Sequence, residues 1–288
     1  MWDAPVVQRL DGDRLHLQHG PIDVVLRAWG AANAVRDAYQ AAIARFGAIL
    51  PELAGELTEL RRPMSERPHV ETPVAKRMVN ACRPYAGLFV TPMAAVAGAV
   101  ADELMETMVE AAPLDRAFVN DGGDIAIHLT EGETMEIAVA ADFSRGAIPA
   151  LNGRITLRDT DGIGGIATSG AQGRSFSLGI ADSVTILARD AASADVAATL
   201  VANAVNIDDP AITRRAAHEL DPDSDLGGLM VTTGVGPLTS ARIAEALEAG
   251  RACAEQFRRR GLIRDAALAL KGEMVTLGQF RSLREMKP

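Results

Sequence analysis

Asp195 and Thr199 lie four residues apart in a stretch whose apolar residues recur at helical spacing. Residues four apart lie on one face of an α-helix, so the carboxylate and the hydroxyl point the same way. Both groups are hard oxygen ligands of the kind that Mg²⁺ takes beside phosphate oxygens. The pair is therefore a candidate site for a hard cation and a phosphate.

A glycine-containing turn precedes that helix in the chain. A short apolar strand from Gly164 ends in the turn Thr168-Ser169-Gly170, and the helix begins near Asp190. Backbone amides in such turns and at helix starts can receive a phosphate, and the positive end of the helix dipole favours anions. We therefore expect the helix start to accommodate Asp195 and an incoming phosphate.

A second glycine turn is Asn120-Asp121-Gly122-Gly123-Asp124, inside the otherwise apolar segment 117–129. Its two glycines let backbone amides point outward, and Asp124 places a carboxylate beside them. A turn-forming cluster within a strand is typical of a bulge or of a close approach by another group. A plain hairpin turn is an equally open interpretation.

Small residues dominate the predicted helix from Met93 to Ala111 and include Gly98. A glycine inside a helix costs about 1 kcal/mol relative to alanine. The sequence therefore predicts a close contact at Gly98, either with a neighbouring element in the core or with a ligand.

The composition bounds the class of protein. The chain has 288 residues, a net charge of −9, 48% hydrophobic and 23% charged residues, which is typical of a globular protein and argues against a broad nucleic-acid surface. We expect a cytoplasmic protein without a membrane span, since no signal peptide is visible and the longest apolar run, 88–101, is short. Its two cysteines belong to no metal-binding pattern.

The elements that must position these residues mix hairpins with long helices. A hairpin over 14–29 is followed by a helical stretch over 31–62, which we expect Pro51 to break in two. The proline-rich charged segment 61–73 is predicted to be a mobile loop. Because strands and helices do not alternate strictly, an α+β fold in one domain over 1–288 is favoured.

Four motifs occur in the order found in one family: NDGGDI at 120–125, IATSG at 166–170, SVTILA at 183–188 and ADVAAT at 194–199. In these motifs the chain resembles the ApbE-like superfamily, whose best-known members are FAD:protein FMN transferases. It looks most like a cytoplasmic branch of uncharacterised ApbE-like proteins. The resemblance implies two similar αβ units of the T-fold type packed into one molecule.

The resemblance also implies a site. FAD would lie between the two glycine turns with Mg²⁺ near its diphosphate, and a backbone carbonyl of the glycine-containing helix would complete the metal's protein ligands. Asp195 and Thr199 match the family's metal-binding carboxylate and hydroxyl. The residues implied in flavin binding are Gly98, Asn120, Gly122, Gly123, Asp124, Thr168, Ser169 and Gly170.

Two departures from the family pattern bear on which of two functions the protein has. The family lysine is replaced by Ala97, and the segment Gln172–Asp182 lacks the family histidine, which leaves Asp182 as its one candidate base. The first function is binding of a flavin, or of another small-molecule diphosphate ligand, with Mg²⁺ by a divergent ApbE-like protein. The alternative is an active FMN transferase that modifies a threonine of a partner protein. A homodimer is compatible with either.

Overall fold

The computed structural model describes residues 3–142, 150–171, 173 and 175–278. Helices and strands follow one another irregularly, which confirms the predicted α+β class. The helices are α1 (Ala32–Gly55), α2 (Leu57–Leu60), α3 (Pro73–Cys82), α4 (Val96–Ala111), α5 (Ala191–Ala204), α6 (Ala217–Leu220) and α7 (Ser240–Arg259). The strands are β1 (Val6–Leu10), β2 (Arg14–His19), β3 (Ile22–Trp29), β4 (Arg116–Asp121), β5 (Asp124–Leu129), β6 (Thr134–Asp142), β7 (Ala150–Arg158), β8 (Gly165–Ser169), β9 (Ser183–Ala188), β10 (Ile212–Ala216), β11 (Met230–Val235), β12 (Asp265–Leu270) and β13 (Glu273–Leu277).

The described residues form two compact units. Unit 1 comprises those of Met1–Met135, Leu157–Ala167 and Ala188–Val196, and unit 2 those of Glu136–Thr156, Thr168–Leu187 and Ala197–Pro288. The single domain over 1–288 stays a prediction.

Unit 1 is built on antiparallel strands in the order β1-β2-β3-β4-β5-β8. Alternate residues of the central strands, such as Leu17, Leu26 and Val119, are fully buried. Because side chains alternate between the two faces of a strand, one face of this sheet is apolar. Helix α1 packs against β2 and β3, and α4 packs against α1, β4 and β5.

The expected break at Pro51 is wrong. Helix α1 runs through Pro51 to Gly55, and the break falls at Glu56, before α2. Pro51 is exposed and lies close to the end of the helix, so the helix loses one hydrogen bond there without losing its core contacts. The core side chains Phe46, Ile49 and Leu53 remain on one continuous stripe.

The predicted mobile loop 61–73 contains a 3₁₀ turn, Met64–Glu66. Its far end is bound by Glu56, whose carboxylate accepts the backbone N–H groups of Glu71 at 2.7 Å and of Thr72 at 3.2 Å. The mobility of this loop stays a prediction.

Unit 2 contains the antiparallel strands β9-β12-β13 with α7 packed on β12 and β13, and the separate pair β10-β11. Strands β12 and β13 form a hairpin. Strands β6 and β7 form a pair of their own. Among the described residues no helix is long and apolar enough to cross a membrane.

Candidate functional site

Gly98 lies where α4 passes the beginning of α5. A Cβ atom at this position would lie 2.3 Å from the carbonyl oxygen of Ala191 and 2.7 Å from the amide nitrogen of Ala192. Both neighbours are backbone atoms, which cannot turn aside as a flexible side chain can. The predicted close contact at Gly98 is therefore confirmed, and its structural partner is the first turn of α5.

Carboxylates of this protein already bind the first amide groups of α5. Asp102 on α4 accepts the backbone N–H groups of Ala191 at 2.9 Å and of Ala192 at 2.8 Å. Asp190 accepts the N–H of Ser193 at 2.7 Å, as an N-cap residue does. The expectation that this helix start receives a phosphate is thus wrong, because its first three N–H groups are satisfied.

The buried position of Asp102 makes the ionised form of its carboxyl group unfavourable. Burial raises the pKa of Asp102 to about 7, although the amide groups of Ala192 and Ala191 oppose this rise by stabilising the charged form. Asp102 on α4 caps α5, which lies in a distant part of the sequence.

Asp195 is partly buried in the second turn of α5, and its Oδ2 atom accepts the backbone N–H of Gly98 at 3.0 Å. Burial, followed by the negative charge of Asp124, raises the pKa of Asp195 well above that of an ordinary aspartate. The Gly98 amide lowers this pKa, whereas the charges of Asp121 and Asp102 raise it further. Three other carboxyl groups of unit 1 therefore act on Asp195.

The turn Gly122-Gly123 joins β4 to β5 as a two-residue hairpin loop, with Asp121 paired to Asp124. Of the two open interpretations, the plain hairpin is correct. Gly122 and Gly123 have φ angles of +65° and +115°, and nothing lies within 4 Å of a Cβ built on Gly123. The glycines here serve the backbone conformation. The side-chain oxygen of Asn120 accepts the Gly123 N–H at 2.8 Å and so supports the turn.

In unit 2, the predicted turn Thr168-Ser169-Gly170 is fixed by its neighbours. The hydroxyl oxygens of Thr168 and Thr185 are 2.9 Å apart, and a Cβ on Gly170 would lie 2.3 Å from the carbonyl oxygen of Asp182. The Asp182 carboxylate accepts the backbone N–H of Lys271. Gly170 is therefore required by close backbone packing, and Asp182 holds the β12-β13 turn.

Ser169 and Thr199 are each partly exposed. Thr199 follows Asp195 by four residues within the single helix α5, as expected. Gln172 and Arg174, at the start of the segment that lacks the family histidine, lie outside the described residues. The roles of Ser169 and Thr199 in ligand binding stay predictions.

In the part of the chain that the structure describes, no group of three or more His, Cys, Asp or Glu side chains is arranged to hold a metal ion. A cation at Asp195 would therefore take at most two such side chains and would need further ligands, such as backbone, hydroxyl, water or phosphate oxygens. This donor set is the one that Mg²⁺ commonly takes with phosphate ligands.

Sequence reasoning missed Asp102 and gave Asp121 no role of its own. Asp102 follows Gly98 by four residues in an otherwise apolar stretch, AGAVAD, so the two lie on one face of α4. A charged residue one turn after a helix glycine was the available signal. What it binds could not be predicted, because Ala191 and Ala192 are about 90 residues away.

The chain belongs to the family described as AbpE bacteria, whose sequence profile matches residues 7–276. This confirms the resemblance drawn from the four motifs.

A UPF0280 protein of Methanothrix thermoacetophila is 40% identical over 161 residues, which make up 55% of this chain and 62% of that protein. A UPF0280 protein of Methanoregula boonei is 33% identical over 191 residues, covering 62% of this chain and 74% of the relative. For the Methanothrix relative, as for one from Methanopyrus kandleri at 56%, the chain spans less than two thirds of the relative's length.

Two solved structures are similar over nearly all of the chain. The ApbE protein of Thermotoga maritima is 13% identical, with a TM-score of 0.43 and coverage of 100% of both chains. A mutant of the flavin transferase ApbE from Vibrio cholerae is 13% identical, with a TM-score of 0.44 and coverage of 97% of this chain and 99% of the other.

Proposed function

We propose that this protein binds a flavin, or another ligand with a diphosphate group, together with Mg²⁺ at Asp195. The observation that carries the proposal is the environment of that carboxylate. The Gly98 amide fixes one of its oxygens, and the charges of Asp124, Asp121 and Asp102 all raise its pKa. A divalent cation bound here would offset this mutual repulsion of carboxylates.

The diphosphate would reach the protein through the cation. The amide groups at the start of α5 already bind Asp102 and Asp190, so they offer little to a phosphate. A Mg²⁺ ion held by Asp195, and by Thr199 in this proposal, keeps coordination positions for phosphate oxygens. The bound ion would supply charge neutralisation, and this chain's residues would hold and orient the ligand.

The test is isothermal titration calorimetry of the purified protein with FAD, with and without Mg²⁺. We expect binding that depends on Mg²⁺ in the parent protein and is lost in Asp195→Ala. Asp37→Ala removes an exposed aspartate of α1 in the same unit and serves as the control. Equal Mg²⁺-dependent binding by parent and Asp195→Ala would refute the assignment of the metal to Asp195.

FMN transfer to a threonine of a partner protein is the second candidate. It is favoured by the same carboxylate and hydroxyl pair, which the family uses to hold Mg²⁺. It is weakened by Ala97, which occupies the position of the family lysine, and by the hydrogen bond that Asp182 accepts from Lys271. A protein partner belongs to this second candidate, whereas a homodimer is compatible with either function.

A further inference from the structure

Leu88 and Phe89 are large apolar side chains that the fold leaves in water. They are 49% and 43% exposed, whereas Tyr85 before them and Val90 and Thr91 after them are 3%, 3% and 2% exposed. Two exposed apolar side chains in succession are costly unless something covers them.

The backbone around these residues is held on both sides. The N–H of Leu88 donates to the carbonyl of Tyr85 at 2.8 Å, and the carbonyl of Val90 accepts the N–H of Met64 at 2.8 Å. Because the segment is hydrogen-bonded and its flanks are buried, Phe89 is presented from a fixed backbone. A side chain presented in this way is suited to binding a ligand at a small entropic cost.

This segment precedes Gly98, whose N–H binds Asp195, by a few residues in the chain. The thiol of Cys82 lies 3.5 Å from the carbonyl oxygen of Thr91, and after burial the charge of Asp195 also raises the pKa of Cys82. Phe89 is two residues from Thr91, so their Cα atoms are at most about 7 Å apart. All of these residues belong to unit 1.

The residues that immediately precede Gly98 are apolar. Met93, Val96 and Ala97, which lead from the segment to Gly98, are each partly exposed. Unit 1 therefore presents carboxylates suited to a metal-bound diphosphate beside apolar side chains suited to a flat ring. A ligand that carries both a diphosphate and an aromatic ring system matches this combination.

We propose that Phe89, resting on the function proposed above, stacks on the aromatic ring system of the ligand whose diphosphate is bound at Asp195. Leu88 and Val96 complete the apolar wall. The ring is a flavin or an adenine, since the two share the flat aromatic face that stacking needs, and the ligands used in the test distinguish them.

The experiment measures dissociation constants by calorimetry in the presence of Mg²⁺ for FAD, FMN, ADP and inorganic pyrophosphate. In Phe89→Ala we expect FAD to bind about three- to tenfold more weakly, which is the effect of removing one aromatic contact. Pyrophosphate, which has no ring, should bind as to the parent. Phe89→Tyr keeps the ring and should restore FAD binding. A loss for FMN alone identifies the flavin as the stacked ring, and a loss for ADP alone identifies the adenine.

Two outcomes would overturn the inference and are distinguishable. If the parent binds FAD with Mg²⁺ and Phe89→Ala binds it equally well, Phe89 does not stack and the proposed function stands. If the parent binds none of the four ligands, the proposed function falls and the stacking falls with it. An equal loss of pyrophosphate and FAD affinity in Phe89→Ala would also refute stacking, because the side chain would then act on the metal site.

Discussion

The backbone N–H of Gly98 donates to the Oδ2 atom of Asp195 across 3.0 Å, although 97 residues separate them in the chain. The contact requires α4 and α5 to approach so closely that position 98 has no room for a Cβ atom. The hydrogen bond that positions the Asp195 carboxylate therefore depends on the absence of a side chain at Gly98.

Gly98→Ala should destabilise the protein and weaken any Mg²⁺-dependent binding. The added methyl group would lie 2.3 Å from a backbone oxygen, so α4 must move away from α5. Overpacking of this kind typically costs about 1–3 kcal/mol of the free energy of unfolding, which urea denaturation measures. Gly87→Ala is the control, because nothing lies within 4 Å of a Cβ at that position. Equal stability of the two variants would contradict the packing described for Gly98.

Asp195→Asn should change the pH dependence of stability. Because the pKa of Asp195 is raised in the folded protein, the native state holds a proton that the unfolded chain releases near pH 4. The resulting stabilisation is full below that pH and is lost as the pH rises through the native pKa. Asparagine does not ionise and can still accept the Gly98 N–H. The melting temperature of Asp195→Asn relative to the parent should therefore rise with increasing pH.

Metal-free thermal melts between pH 4 and pH 8 measure this difference, with Asp37→Asn as the matched control. A difference between Asp195→Asn and the parent that is constant over this range would show that the carboxyl group titrates as in the unfolded chain. Added Mg²⁺ should stabilise the parent more at pH 8 than at pH 5, since the cation binds the ionised carboxylate.

Local signals in the sequence predicted the elements well where packing and periodicity agree. The hairpin over 14–29 forms as β2-β3, and the helical stretch after it begins as expected with α1. Pro51 was expected to break the helix and does not, because a proline near a helix end removes too few hydrogen bonds to stop the helix. The capping of α5 by Asp102 could not be predicted, since side chain and amides lie in different parts of the chain. The sequence thus predicted Asp195 as a candidate ligand and Asp124 as a site residue, but it assigned no role to Asp102 or Asp121, whose charges also act on Asp195.

Gly123→Val should lower stability mainly through the backbone. At a φ of +115° a β-branched residue is strained, while the space around the missing Cβ is open. We expect a loss of about 1–2 kcal/mol in the free energy of unfolding, the usual cost of such a conformation. Gly122→Asn should cost much less, because its φ of +65° lies in the region that asparagine tolerates. If Gly123→Val unfolds at the same urea concentration as the parent, the hairpin turn does not require a glycine at position 123.

We expect no transfer of FMN from FAD to a threonine-bearing target peptide, even with Mg²⁺. In that reaction the threonine oxygen forms a bond to the FMN phosphorus, the bond to AMP breaks, and a base must take the hydroxyl proton. Asp182 is the candidate base, but its carboxylate accepts the Lys271 N–H and holds a turn. Ala97 supplies no charge for the leaving phosphate. Mass spectrometry of the peptide after incubation tests this, with Ala97→Lys in parallel. Ala97→Lys should tighten FAD binding without producing modified peptide, and flavin attached by the parent protein would establish the transferase instead.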